Sequence, residues 1–121
     1  EANLLKLGEF SYMKLLKNEK QNAISFVGED LLFIAPEMLV GLPYKNKQDI
    51  WSLGVMLYQM ITKKMPFNAE SLPMLTLKII KGEYEPITVG DYSEDLKNLV
   101  KSMLIVDPEK RPSSKELLGK N

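Results

Sequence analysis

The stretch from Gln48 to Thr62 constrains this chain more than any other. Apolar side chains stand at 50, 51, 53, 55, 56, 57, 58, 60 and 61, so on a helix they reach every side. A surface helix carries one apolar stripe about 100° wide, whereas a helix that is apolar all round is expected to be buried. A membrane span needs about 20 apolar residues, and Gln48, Asp49 and Lys63 bracket this shorter run. The pattern predicts a central post of roughly four turns, packed on all sides.

Composition narrows what such a post can serve. A chain of 121 residues has room for one domain and one core. With 16 basic and 16 acidic residues it has no net charge, so nothing draws it to nucleic acid or an anionic membrane. Without cysteine there is no disulfide scaffold and no thiolate metal site; without histidine the usual general base and commonest metal ligand are gone. No stretch reads as a signal peptide or a transmembrane segment, which makes an intracellular, cytoplasmic protein the default, with cytoskeletal or nuclear placement open. The chain opens on Glu1 and reads as cut from something longer.

Taken in order, Asn3 to Leu7 alternates weakly and predicts a short strand, broken by Gly8 to Ser11. Tyr12 to Leu16 fits one helical turn, Lys17 to Asn22 is a polar, exposed loop, and Ala23 to Ile34 has no clean period. Ala35 to Val40 predicts a short helix with Pro36 in its first turn and Gly41 at its stop, and 42–47 connects it to the central helix. Lys63 to Asn68 predicts a turn. Ser71 is placed to cap a helix over Leu72–Lys81 that Gly82 ends. Met74 and Leu77 on that helix are either an exposed docking surface or core, and core is the preferred assignment. Ser93 caps a further helix with Glu94 and Asp95 in its first turn, where the helix dipole favours acids. Leu96, Leu99, Val100, Met103 and Leu104 follow a 3.6-residue period along it. Asp107-Pro108 ends that helix, and Ser113 with Glu116 forms a capping box that opens the last one. The expected fold is mainly α, without repeats or low-complexity tracts.

Four short motifs then fall in order: Ala35-Pro36-Glu37, Asp49-Ile50-Trp51-Ser52-Leu53-Gly54, Pro66-Phe67, and Asp107-Pro108-Glu109-Lys110-Arg111-Pro112. Each is weak alone. Together, over some 80 residues, they resemble the large lobe of a protein kinase, and the resemblance runs from about Leu5 to Leu118. Lys78 to Ile87, followed by Tyr92 to Leu96, looks most like the NIMA-related serine/threonine kinases.

The resemblance implies a large-lobe fragment, with an activation-segment region over 1–37 and a helical subdomain over 38–121 that carries the F to I helices. The apolar helix would be the F helix. Asp49 near its start would accept hydrogen bonds from the backbone of the catalytic loop, since a buried carboxylate needs such donors; the plainer alternative is a helix cap. Trp51 is core in either case. Glu37 would pair with Arg111 and tie the end of the activation segment to the last helices, where the sequence alone would leave two surface charges of little worth.

Other positions depart from the family. Gly8 to Ser11 falls where kinases have Asp-Phe-Gly, so Glu9 takes the place of the magnesium-holding aspartate and Ser11 that of the glycine. Gly28-Glu29 falls on the substrate-loop Gly-Thr, and Glu29 cannot do what that threonine does. One residue more than usual separates Gly28 from Ala35. Ser25 stands where many of these kinases are phosphorylated, or is an ordinary loop serine. The chain contains no Gly-rich phosphate loop, no phosphate-binding lysine strand and no His-Arg-Asp loop, so no catalytic residue can be assigned to it. ATP and magnesium would belong to the parent protein rather than to this chain. The implied partners are the N-terminal part of the kinase domain and a protein substrate or binding partner. Replacements at Glu9, Ser11 and Glu29, set against retention of Glu37, Asp49 and Arg111, favour a pseudokinase or weakly active parent over an active serine/threonine kinase. An unrelated helical interaction domain is the remote third reading.

Overall fold

A computed structural model describes residues 4–8, 31–43 and 45–119. The sequence expectations for Tyr12 to Leu16, for the polar loop 17–22, and for Glu9, Ser11, Ser25, Gly28 and Glu29 lie outside the described residues. A 3-10 turn over Leu31–Phe33 is followed by five helices: α1 (Pro36–Leu39), α2 (Lys47–Thr62), α3 (Leu72–Lys81), α4 (Glu94–Met103) and α5 (Ser114–Leu118). No described helix is long and apolar enough to cross a membrane.

α2 is the post on which the rest is built, packing against α4 and the 3-10 turn. Its buried residues are Ile50, Trp51, Gly54, Val55, Tyr58 and Ile61, of which Trp51, Val55, Tyr58 and Ile61 meet Phe67, Leu75, Ile79, Val100 and Leu104 in one cluster. Gly54 permits the closest approach. A Cβ there would lie 2.8 Å from the Met103 Cβ and 3.1 Å from the Leu104 Cδ2, so only a residue without a side chain lets the Met103 and Leu104 side chains at the end of α4 pack directly on the α2 backbone. The aromatic side of the core is a chain of rings. Trp51 stacks on Phe67 at 5.5 Å, and Tyr84 meets both Phe67 and Tyr58 edge-on. The Tyr58 hydroxyl donates to the Glu85 carbonyl at 2.9 Å and so fastens the loop after α3 to α2.

The helix ends follow local chemistry. Ser93 accepts from the Leu96 amide at 3.3 Å, and Ser113 and Glu116 form the reciprocal capping box expected of them. Ser71 does sit at the start of α3, but its side chain makes no cap bond; its carbonyl accepts from the Leu75 amide at 2.9 Å instead. Gly82 ends α3 at φ 67°, and a Cβ there would come within 2.6 Å of Val106.

Three expectations need correction. The predicted N-terminal strand is absent among the described residues: 4–8 is without secondary structure, and Leu5 and Leu7 are 94% and 88% exposed. A strand exists only through the ladder of a neighbour, and no described segment pairs with this one. The all-round apolar helix is not buried all round. Leu53, Met56 and Met60 are 48%, 49% and 63% exposed, and with Asp49 their spacing of four, three and four residues makes one bare stripe along α2. Met74 and Leu77 are exposed rather than core; on α3 it is Leu75 and Ile79 that turn inward.

Candidate functional site: a buried tether and a carboxamide clamp on the central helix

The most strongly connected polar group among the described residues is Arg111, which is 1% exposed. A turn delivers it: Asp107 accepts from the amides of Glu109, through Oδ1 at 3.0 Å, and of Lys110, through its carbonyl at 3.2 Å. Aspartate before proline favours such a turn because its side chain mimics a backbone acceptor. The Arg111 guanidinium meets Glu37 through two parallel bonds, Nη1 to Oε1 at 2.9 Å and Nη2 to Oε2 at 3.0 Å. Its remaining donors reach carbonyls: Nε to Ile105 at 3.0 Å, Nη1 to Lys47 at 2.7 Å and Nη2 to Val106 at 3.3 Å. A guanidinium has five N–H groups, and these bonds occupy all of them. The group also lies 5.1 Å above the Trp51 ring, adding a cation–π contact. The Lys47 ammonium donates back to the Arg111 carbonyl.

This arrangement has a clear division of labour. Glu37 is in the first turn of α1 and is 4% exposed, so its charge is supportable only because Arg111 matches it in fork geometry. Lysine could not replace arginine here, because one ammonium cannot span two carboxylate oxygens and three carbonyls. The pair joins α1 to the 105–111 segment across the N-terminal end of α2. Trp51, fully buried, forms the floor; its indole Nε1 has no hydrogen-bond partner among the described residues.

Sequence reasoning missed a second connection. The Gln48 carboxamide accepts the Ala35 amide through Oε1 at 2.8 Å, while its Nε2 donates to Ser52 Oγ at 2.9 Å and, more weakly, to the Phe33 carbonyl at 3.4 Å. The Ser52 hydroxyl lies 2.9 Å from the Phe33 carbonyl and 3.3 Å from that of Gln48, and its one proton favours the shorter contact. A glutamine and a serine four residues apart on a buried helix share a face, and that spacing was the available signal.

Asp49 does not join either group. It is exposed, its carboxylate has no hydrogen bond among the described residues, and desolvation by neighbouring protein raises its carboxyl from the ordinary value. Its place is on the bare stripe of α2, beside Leu53. Glu9, Ser25, Gly28 and Glu29 lie outside the described residues, so the tether and the clamp are the parts of the site with geometry. No group of three or more Asp or Glu side chains among the described residues could hold a metal ion.

A buried Glu–Arg pair joining a short helix to a late turn, both seated on a Trp-bearing apolar helix, is the framework expected of a kinase large lobe. The family model for the protein kinase domain matches residues 1–121, and the chain belongs to that family. Among curated relatives it is 45% identical over 115 residues to a probable serine/threonine-protein kinase nek3 of Dictyostelium discoideum, covering 94% of this chain and 10% of the relative. It is 43% identical over 119 residues to a probable serine/threonine-protein kinase nek2 of the same organism, covering 98% and 28%. It is 41% identical over 116 residues to the serine/threonine-protein kinase Nek8 of Danio rerio, covering 96% and 16%. The likeness is thus to NIMA-related kinases, and the chain spans between 10% and 28% of these relatives' lengths.

Proposed function

We propose that this chain is the activation-segment and helical large-lobe part of a serine/threonine kinase-like domain, and that its parent is a pseudokinase or weakly active kinase that works mainly by binding protein. Residues 1–37 form the activation-segment region and 38–121 the helical subdomain. One observation carries the reading. The positions that hold the fold together are kept, with every Arg111 donor engaged, while the sequence positions that bear chemistry are replaced by Glu9, Ser11 and Glu29.

The chemistry lost can be followed residue by residue. Magnesium requires near-octahedral oxygen ligands at about 2.0–2.1 Å. Glu9 has the charge of the aspartate it replaces, but its extra methylene displaces the carboxylate by about one bond length, and a misplacement of about 1 Å can cost about 100-fold in rate. Ser11 adds a Cβ where glycine lets the motif move freely. In the complete domain, magnesium would screen the phosphates of ATP; this chain's contribution would be Glu9 alone. Nucleotide binding is therefore expected to be weak or independent of magnesium. ATP affinity of the complete protein with and without magnesium, compared with Glu9→Asp, tests this alongside phosphate transfer to a generic protein substrate. Glu9→Asp should strengthen magnesium-dependent binding. Robust magnesium-dependent transfer by the unmodified protein would overturn the reading and leave an active kinase, the activity named for its relatives.

A further inference from the structure

We infer that Gln48 is a positioning residue that caps α1 from another helix and so fixes the backbone of residues 33–35. α1 has only four residues, and its N-cap is Ala35, which has no side-chain acceptor. In a capping box the residue three places into the helix reaches back to the N-cap amide; here that residue is Met38, which cannot. The Ala35 amide is nonetheless paired, because Gln48 Oε1 reaches it from α2 at 2.8 Å. Ala35 is fully buried, so without Gln48 its amide would be stranded away from water.

The orientation of the carboxamide is unambiguous. The Ala35 amide can only donate and the Phe33 carbonyl can only accept, so oxygen must face the first and nitrogen the second. Ser52 completes the clamp by holding the same Phe33 carbonyl at 2.9 Å. The clamp and the Glu37–Arg111 tether share no side chain. One fixes the chain entering α1 and the other fixes α1 itself, and both rest on the first turns of α2. Residues 33–35 follow the substrate-loop positions Gly28 and Glu29 in the chain. On the kinase-like reading, on which this part of the inference rests, Gln48 therefore sets the register in which the substrate loop is handed to the large lobe.

Amide hydrogen exchange on the complete protein tests this, with Gln48→Ala and Gln48→Glu compared with the unmodified chain. Glutamate keeps the acceptor that Ala35 needs and loses only the donor. In Gln48→Ala, exchange at the Ala35 amide should accelerate about tenfold, while the amides of α2 and α4 keep their protection. In Gln48→Glu, protection at Ala35 should return. Unchanged exchange at Ala35 in Gln48→Ala would overturn the inference. So would faster exchange spread evenly through α2 and α4, which would make Gln48 an ordinary stabilising residue, or failure of glutamate to rescue. Phosphate transfer plays no part in this readout, so a failure of the cap at Ala35 is told apart from a failure of the kinase-like reading.

Discussion

Replacing Arg111 with alanine removes the best-connected side chain of the large-lobe framework, and the structure sets the scale of the loss. Two bonds to Glu37 and three to the carbonyls of Lys47, Ile105 and Val106 disappear together. The Glu37 carboxylate, 4% exposed, is left charged and without its partner. Removing one member of a buried pair costs about 3–5 kcal/mol, against less than about 1 kcal/mol for an exposed pair. The packing of the guanidinium over Trp51 is lost as well, so the upper part of the buried range is expected. Urea denaturation of the complete protein measures it: the midpoint should fall while the slope stays constant, since the surface exposed on unfolding hardly changes. Arg111→Lys should recover little, because one ammonium cannot replace the fork. Glu37→Leu combined with Arg111→Met should lose less than Arg111→Ala alone, since no charge is then stranded. A midpoint for Arg111→Ala equivalent to a loss below about 1 kcal/mol would refute the argument that the pair is buried and charged.

Gly54→Ala gains about 1 kcal/mol of helix propensity but forces a Cβ to within 2.8 Å of Met103, an overpacking that costs about 1–3 kcal/mol. A net loss in the same urea melts is expected, and a net gain would mean that α2 and α4 do not cross so closely. Tyr58 is buried, beside Glu85, and both effects raise its phenol above the ordinary value; burial does the same for Tyr84. A raised pKa favours the protonated form in the folded state, so this stability is full below the unfolded value of about 10 and is lost as pH rises above it. Spectrophotometric titration should show phenols ionising later in the folded protein than in urea, and coincident curves would refute this. The three exposed apolar side chains on α2 should make the isolated chain loosely packed or self-associating, and Leu53→Gln, Met56→Gln and Met60→Gln together should restore a monomer. Sedimentation of a monodisperse, cooperatively melting unmodified chain would contradict this expectation.

What could be read from sequence divides along physical lines. Helix positions were legible because they depend on local signals. The period of Leu96, Val100 and Met103, the cap at Ser93 and the box at Ser113–Glu116 are each written within a few residues. The Glu37–Arg111 pairing spans 74 residues, and nothing in the chemistry of one glutamate and one arginine chooses the partner; only the order of the kinase-like motifs pointed to it. The Gln48 clamp was only partly legible, since the Gln48–Ser52 spacing shows a shared face but not what that face bonds to. It bonds to backbone atoms of Phe33 and Ala35, and backbone acceptors and donors are identical at every position in the sequence. The strand at Asn3 to Leu7 failed because alternation records which faces a segment could present, not whether a neighbour exists to pair with it.

The exposed side of α2 turns a misplaced expectation into an argument about the whole domain. Single exposed apolar side chains are ordinary, but a contiguous apolar stripe marks a contact surface, and Leu53, Met56 and Met60 form such a stripe, 48%, 49% and 63% exposed. Burying a large apolar side chain fully is worth about 1.5–3 kcal/mol, so covering the exposed half of three contributes on the order of 3 kcal/mol. That is a sizeable part of a typical domain's net stability of about 5–15 kcal/mol. Asp49 heads the same stripe, with a carboxylate that desolvation disfavours and no described donor relieves. A partner that covered only the apolar residues would strand this charge, whereas one that also brought backbone N–H groups to it would satisfy both needs. The cover for α2 should therefore be mixed: apolar along Leu53 to Met60, and rich in backbone donors opposite Asp49. Asp49→Asn tests the polar half in the complete protein. An amide cannot replace a carboxylate facing several N–H donors, so a loss of about 1.5–3 kcal/mol is expected. A neutral or stabilising Asp49→Asn would mean that this carboxylate meets no backbone donors in the complete domain, and that the cover of α2 is apolar alone.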